Sequence, residues 1–222
     1  MADRLLLYTI PGSHACRSAM LMLEHKGIPW KVREMQPGVQ TATMRVRGFP
    51  GRTVPAIRVN GTRVQTNRRI ARFLDEMRPD PPLVPPERAE EIDRAERFSD
   101  LTLQTLTRRL LLAAGRRDPG CGTDGRLGPI LAYSNWRRRL TASMAYRYFG
   151  VSDEVERLDL AALPRVLDQV DALLAAGTLN GPELNAADFE IAPALALGAY
   201  RPDIRHEITS RPSWDLVERL LP

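Results

Sequence analysis

Residues 5–16 read LLLYTIPGSHAC, and the order of residue types in this stretch indicates how the chain begins to fold. The apolar run from Leu5 to Ile10 has the length and composition of a buried β-strand. Pro11 and Gly12 then predict a loop, and Ser13 is a preferred first residue for the helix that follows. Free backbone N–H groups and the helix dipole favour an anion at such a helix start. A thiolate is an anion of this kind, so the stretch predicts a thiol site near Ser13.

The first third of the chain has the pattern of a small α/β domain. After the first strand, the predicted elements are a helix over residues 14–26, a strand over 30–34, a hairpin of strands 56–59 and 62–65, and a helix over 67–77. A strand, a helix and a strand within about thirty residues predict two parallel strands. Asn60-Gly61 is a strong hairpin signal, and Asn67 has the residue type of a helix cap. The order β-α-β-(α)-β-β-α predicts a thioredoxin-like domain over residues 1–78.

The remainder of the chain is predicted to be helical. Residues 79–87 are dense in proline and predict a stiff linker between domains. The all-helical part is expected over residues 88–222, with helices within 87–115, 129–149, 159–176, 189–197 and after Pro212. Asn185 and Asp188 have the spacing of a capping box, and the apolar run behind them predicts a helix that is buried on all sides.

Composition and charge limit the classes of function. The formal net charge is +5, but the 32 basic residues are interspersed with 27 acidic ones and no basic stripe with aromatic residues occurs. This pattern argues against nucleic-acid binding and fits small anionic ligands better. Only two cysteines, Cys16 and Cys121, are present, which excludes a disulfide framework, and no metal-ligand spacing occurs. No apolar run has the length of a signal peptide or a membrane span, so we expect a cytoplasmic protein without a membrane partner.

Four segments resemble the cytosolic glutathione transferase family, and their order covers essentially the whole chain. They are YTIPGSHACRSA at residues 8–19, RTVPAI at 52–57, TNRRIARFLDE at 66–76 and LNGPELNAADFEIAP at 179–193. The first is similar to a glutaredoxin-type active-site loop with Ser13 at the first cysteine position, and the second is similar to the family's Val-cis-Pro element. The resemblance implies a thioredoxin-like domain, a linker and an all-helical domain.

The same resemblance implies an enzyme that conjugates glutathione, or a related small thiol, to hydrophobic electrophiles. Ser13 would stabilise the thiolate by a hydrogen bond, which lowers the pKa of a thiol. Val54 and Pro55 would present backbone groups to the tripeptide, and Arg52 would meet its glycyl carboxylate. Thr66 and Asn67 stand where the family has a Glu-Ser pair that binds the γ-glutamyl end. Glutathione is thus the expected co-substrate, a homodimer is the expected assembly, and no metal is expected.

Several residues keep alternative roles at this stage. Ser13 is either the thiolate donor or only a helix cap, and Cys16 is either a small core residue or a redox-active thiol. His14 either attracts a carboxylate or polarises a substrate, or it is only a solvated loop residue. Tyr8 is interpreted as structural. The aromatic and apolar residues Tyr133, Trp136, Met144 and Tyr148 either line a substrate pocket or belong to the core. The competing functions are a non-catalytic thiol-binding or interaction module and a monothiol redox protein that acts through Cys16.

Overall fold

The computed structural model describes residues 5–36, 40–118, 120–122, 125–128 and 145–222. The described residues form a four-stranded sheet of β1 (Leu5–Thr9), β2 (Trp30–Glu34), β3 (Ala56–Val59) and β4 (Thr62–Gln65), in the order β2-β1-β3-β4. β1 pairs with β2 in parallel, and the pairs β1/β3 and β3/β4 are antiparallel. The predicted parallel pair and the hairpin are confirmed, and Asn60 and Gly61 both have positive φ angles at the turn.

Helices cover both faces of this sheet, which explains why β1 is a continuous apolar run. α1 (His14–His25) and α3 (Asn67–Met77) pack on the face that carries Leu5 and Leu7. α2 (Gln40–Val46) covers the other face, where Tyr8 packs with Met44 and Phe49. Because successive side chains of a strand point to opposite faces, both sets of β1 residues must be apolar. The thioredoxin-like arrangement is therefore confirmed.

The second part of the described chain is helical. It contains a 3₁₀ turn at Pro86–Arg88, α4 (Ala89–Phe98), a π-helical turn at Ser99–Leu103, α5 (Gln104–Arg117), α6 (Asp153–Ala175), α7 (Ala186–Gly198), α8 (Pro202–Thr209) and α9 (Trp214–Leu220). The predicted helix over 129–149 falls mostly outside the described residues, which show a helical segment at 145–148.

Three helix predictions need correction. The stretch 87–115 contains two helices separated by the π-helical turn. α6 begins at Asp153 and not at 159, because the Ser152 side chain accepts a hydrogen bond from Val155 N and caps the helix there. α8 was not predicted, although Pro202 in its first turn is a common start signal.

α7 is the centre of the helical part. Every residue from Ala186 to Gly198 is buried, and the helix packs against α1, α4, α5 and α9. The predicted capping box at Asn185 and Asp188 is confirmed. The contact between α7 and α1 joins the helical part to the sheet and places one wall of the site described below.

The proline-rich segment after α3 is fixed to both parts of the molecule. Asp75 accepts hydrogen bonds from the backbone N–H groups of Leu83 and Val84, both at 2.9 Å. Leu83 is fully buried, and its carbonyl accepts a 2.8 Å hydrogen bond from Ala186 N at the start of α7. The segment therefore orients the helical part against the sheet.

Candidate functional site

A cleft of about 1350 Å³ lies between the sheet-side loops and the helical part. One wall is formed by the loops after β1 and before β3 and by the start of α3. The facing wall comes from α5, α7 and residues 145–149. Of the predicted site residues, all except Cys16 border this cleft: Ser13, Arg52, Val54, Pro55, Thr66 and Asn67. The structure therefore brings these residues together from three separate segments.

Ser13 occupies the N-cap position of α1 on the cleft wall. Its Oγ accepts a hydrogen bond from Cys16 N at 3.3 Å, so its capping role is present. The hydroxyl hydrogen takes no part in that bond. A half-buried hydroxyl at a helix start can therefore also donate to an anion that enters the cleft.

The loop before β3 presents unused backbone groups to the cleft. The Val54–Pro55 peptide is cis, and no described residue makes a hydrogen bond to the N–H or C=O of Val54. Gln65 holds the loop: its Oε1 accepts from Gly51 N at 2.6 Å and its Nε2 donates to Thr53 O at 2.9 Å. A Cβ atom at Gly51 would lie 2.8 Å from Gln65 Oε1, so a larger residue there would displace the Gln65 side chain that holds this loop.

The start of α3 differs from the prediction. Asn67 was expected to cap the helix, but Thr66 holds the N-cap position, with φ at 73° and no hydrogen bond from its side chain. Asn67 is the first helical residue, and its side chain is buried. The positive φ angle of Thr66 is incompatible with β-strand geometry, so β4 ends before this residue. Asn67 is therefore one position inside the helix, where its side chain does not cap it.

Four buried polar atoms at the cleft have no hydrogen-bond partner in the described part of the chain. They are Gln40 Oε1, Asn67 Oδ1, Arg68 Nε and Glu190 Oε1. Buried polar atoms in folded proteins are almost always paired, because each unpaired one costs about 1–3 kcal/mol. Three acceptors and one donor are thus available to a polar ligand.

Glu190 lies on α7 and is buried. Burial raises the pKa of its carboxyl well above the ordinary value, and the nearby charges of Glu96 and Asp100 raise it further. Gln104 Nε2 lies 3.3 Å from Glu190 Oε2 and 3.2 Å from Ser99 Oγ. A cation that binds near this buried carboxyl would favour its ionised form.

His14 is not the solvated loop residue that was one of the two predictions. It is the first residue of α1 and is buried, and two side chains of α5 lie beside its ring. Its Nε2 lies 3.0 Å from Gln104 Oε1 and 3.2 Å from Arg108 Nη2. Burial, and then the charge of Arg108, lower the pKa of His14 to about 3. The imidazole is therefore neutral near pH 7 and does not act as a cation for a carboxylate.

Cys16 and Tyr8 lie outside the cleft wall. Cys16 is 1% exposed, and burial raises the pKa of its thiol, opposed by hydrogen bonds to Ser13 and Thr9. This placement favours its core role. Tyr8 is fully buried in the sheet, in agreement with its structural interpretation. Among the described residues, no three His, Cys, Asp or Glu side chains converge in a way that could hold a metal ion.

The structure describes one of the four residues that were predicted either to line a substrate pocket or to belong to the core. Tyr148 borders the cleft and is 69% exposed. Tyr133, Trp136 and Met144 lie outside the described residues. No helix in the described part of the chain is long and apolar enough to cross a membrane.

Sequence reasoning missed Glu190, Gln104 and Arg108. A signal for Glu190 exists: it is the one charged residue between Phe189 and Gly198, inside a helix predicted to be buried on all sides. A charge in such a helix is rarely tolerated without a partner or a function. Gln104 and Arg108 gave no signal, because polar residues at helical spacing look like an exposed face.

Comparison with known proteins identifies relatives of this fold. Residues 7–82 match the profile of the family described as "Glutathione S-transferase, N-terminal domain". No curated protein sequence gives a significant match.

Three solved structures illustrate the similarity. A glutathione S-transferase of Ceriporiopsis subvermispora, solved in complex with glutathione, is 17% identical, with a TM-score of 0.71 over 98% of this chain and 95% of that chain. GSTFuA2 of Phanerochaete chrysosporium is also 17% identical, with a TM-score of 0.75 over 98% and 96%. A glutathione S-transferase of Methylobacterium radiotolerans, in complex with glutathione sulfonate, is 18% identical, with a TM-score of 0.58 over 99% and 95%. At these identities the similarity establishes a shared fold.

Proposed function

We propose that this chain, which belongs to the glutathione S-transferase fold family, conjugates glutathione or a related small thiol to hydrophobic electrophiles. The observation that carries the proposal is a group of buried, unpartnered atoms at the cleft. Asn67 Oδ1 and Arg68 Nε lie on the wall that also holds Ser13, and Glu190 Oε1 lies on the facing wall. An α-amino-acid head group could pair with them, because its ammonium donates to acceptor oxygens and its carboxylate accepts from the arginine N–H.

The γ-glutamyl end of glutathione carries such a head group. The chain lacks the family's Glu-Ser pair at Thr66 and Asn67, so an acidic neighbour for the ammonium must come from elsewhere. In our proposal Glu190 on α7 supplies it, and Asn67 adds a second acceptor. Arg68 and the free N–H groups at the start of α3 receive the carboxylate.

The rest of the tripeptide would extend along the wall that holds Ser13. The N–H and C=O of Val54, which have no partner among the described residues, suit strand-like pairing with the cysteinyl residue. Arg52 is exposed beside this loop and is our candidate for the glycyl carboxylate. These contacts would place the sulfur near Ser13.

The chemical step needs a thiolate near an electrophilic carbon. The Ser13 hydroxyl donates a hydrogen bond to the sulfur, and the dipole of α1 adds positive potential, so both lower the pKa of the thiol. The thiol proton passes to water. The sulfur then forms the new S–C bond, and the leaving group departs with the bonding electron pair. His14, whose pKa is about 3, is neutral and is not the base in this scheme.

Two measurements on the full chain test this function. Calorimetry with S-methylglutathione measures binding without turnover, and a conjugation assay with 1-chloro-2,4-dinitrobenzene measures rate. We expect both to succeed, and Asn67→Ala to weaken binding about tenfold. Binding without rate would instead support the non-catalytic thiol-binding module. Absence of both would refute the proposal.

Two further expectations follow from the family resemblance. We expect a homodimer, which light scattering coupled to size-exclusion chromatography would detect at about twice the 24.9 kDa chain mass. We also expect a cytoplasmic location, which fractionation of the native cells would test.

A further inference from the structure

Arg108 lies on α5, in the wall of the cleft that the helical part forms. Its Nη2 is 3.2 Å from His14 Nε2, and His14 is the residue after Ser13. Its Cζ lies 4.8 Å from the centroid of the Phe149 ring. The guanidinium therefore sits between the start of α1 and the apolar wall, next to the position proposed for the reacting sulfur.

Among the described residues, no carboxylate oxygen lies within 4 Å of this guanidinium, although the charge of Asp100 acts on it. Its hydrogen-bonding neighbour His14 is neutral. By sequence, residues 129–144, which border the described segment 145–149, contain no Asp or Glu. Arg108 is thus a cation whose charge is balanced only weakly by its surroundings.

Several other arginines of α5 and of the cleft have carboxylate partners. Arg109, the next residue on α5, makes two hydrogen bonds to Asp159, at 2.8 and 2.7 Å. In the cleft, Arg68 pairs with Asp93 and Arg72 with Glu96.

Three other cleft arginines lack a carboxylate partner among the described residues, but they are exposed, so water solvates them: Arg52, Arg69 and Arg147. Arg108, by contrast, is only partly exposed, and burial lowers its pKa. Desolvation of an unpaired charge is costly, and an anion in the cleft would offset that cost.

The cleft also offers apolar surface to a ligand. Phe149 contacts the Arg108 guanidinium, and Leu111, Leu112 and Ala145 line the same cleft. A ligand there meets an apolar surface with a single desolvated cation at its edge. An aromatic or aliphatic body with one carboxylate fits this arrangement, because the planar guanidinium can bind both carboxylate oxygens.

We propose that the electrophile of this enzyme carries a carboxylate and that Arg108 binds it, which makes Arg108 a specificity-determining residue. The inference rests on the proposed transferase function, since it names the substrate class of that site. Glutathione itself carries carboxylates, so the test must separate a role toward the electrophile from a role toward the thiol.

A matched pair of electrophiles provides that separation. 4-Chloro-3,5-dinitrobenzoate and its methyl ester share the ring and the leaving group and differ in charge. Each rate is divided by the uncatalysed rate with glutathione to remove the electronic difference. We expect Arg108→Gln to lower kcat/KM about 10- to 100-fold for the carboxylate and less than threefold for the ester. Arg108→Lys should fall between, because it keeps the charge without the planar fork.

Arg116→Gln is the control. Arg116 lies on the same helix, is exposed, pairs with Asp153 and does not border the cleft. We expect it to leave both rates unchanged. Equal losses for both electrophiles in Arg108→Gln would overturn the inference, as would a change confined to the KM for glutathione.

A binding measurement keeps the inference testable if the protein shows no turnover. 4-Methyl-3,5-dinitrobenzoate and its methyl ester have no leaving group, so calorimetry reports binding alone. Selective loss of carboxylate binding in Arg108→Gln would support the anion site even if the transferase proposal failed. Equal binding of acid and ester to the wild type would refute the anion site even if the transferase proposal held.

Discussion

The starts of α1 and α7 show two ways in which a helix can begin in this molecule. At α7, Asp188 accepts hydrogen bonds from Asn180 N at 2.6 Å and Asn185 N at 2.9 Å, and Asn185 Oδ1 accepts from Ala187 N at 2.9 Å. At α1, the Ser13 side chain accepts one bond from Cys16 N, at 3.3 Å, and faces the cleft. The first start is closed by its own side chains, and the second keeps donor capacity that a ligand can use.

This difference predicts that the start of α7 contributes mainly to stability and the start of α1 mainly to function. A fully paired and buried helix start stabilises the fold, because each of its polar groups would be costly to leave unpaired. A half-buried start that borders a cleft contributes less to stability and leaves its dipole exposed to a ligand. Substitutions at the two starts should therefore have opposite signatures.

The largest effect is expected at the closed start. Asp188→Ala leaves the buried N–H of Asn185 and the half-buried N–H of Asn180 without acceptors and should lower the free energy of unfolding by about 3 kcal/mol. Urea denaturation followed by circular dichroism measures this change. Asp153→Ala is the control, since Asp153 is an exposed first-turn carboxylate of α6, and its loss should cost less than 1 kcal/mol. Similar losses in both variants would contradict the comparison.

At the open start the effect should be on rate. Ser13→Ala removes the proposed hydrogen bond to the thiolate and should lower kcat/KM for conjugation about 100-fold. Its free energy of unfolding should fall by only about 1 kcal/mol, the value of one cap. Ser152→Ala is the matched control, because Ser152 caps α6 with an equivalent hydrogen bond, at 3.1 Å, away from the cleft. If both variants kept full activity, Ser13 would be only a cap.

A smaller effect is expected at Glu190, where the closed helix α7 meets the cleft. Its carboxyl has a pKa raised by burial and by Glu96 and Asp100, while Arg68 and Arg72 act in the opposite direction. The ammonium of a bound ligand favours the carboxylate form, so binding lowers this pKa and releases a proton. Affinity for S-methylglutathione should therefore rise with pH through the pKa of the free protein.

Calorimetry in buffers of different ionisation enthalpy measures that proton. S-Methylglutathione has no thiol, so proton release cannot come from sulfur. Glu190→Gln should abolish the release and weaken binding about tenfold. Unchanged proton release in this variant would place the ammonium elsewhere in the cleft.

The sequence predicted the elements whose cause is local. The parallel pair of β1 and β2, the turn at Asn60-Gly61, the capping box at Asn185 and Asp188, and the buried helix behind it all follow from neighbouring residues. Ser13 was correctly predicted as a possible cap, and its functional role stays a prediction. The errors at Asn67 and at the start of α6 are one to six residues long, because backbone conformation at Thr66 and the cap at Ser152 decide those boundaries.

The sequence by itself determined the fold, because strand alternation, turn residues and caps act over a few positions. Only the tertiary structure decided the environment of the site. The sequence left the role of His14 open, whereas the structure buries it beside two side chains of α5. Glu190, 177 positions after Ser13 in the chain, borders the same cleft as Ser13. Burial and pairing depend on which distant segments pack together, and these two quantities set pKa values and leave polar atoms without partners. Residues 5–16 were therefore sufficient to predict the thiol loop, whereas the sequence did not predict that Glu190 and Arg108 would border the same cleft.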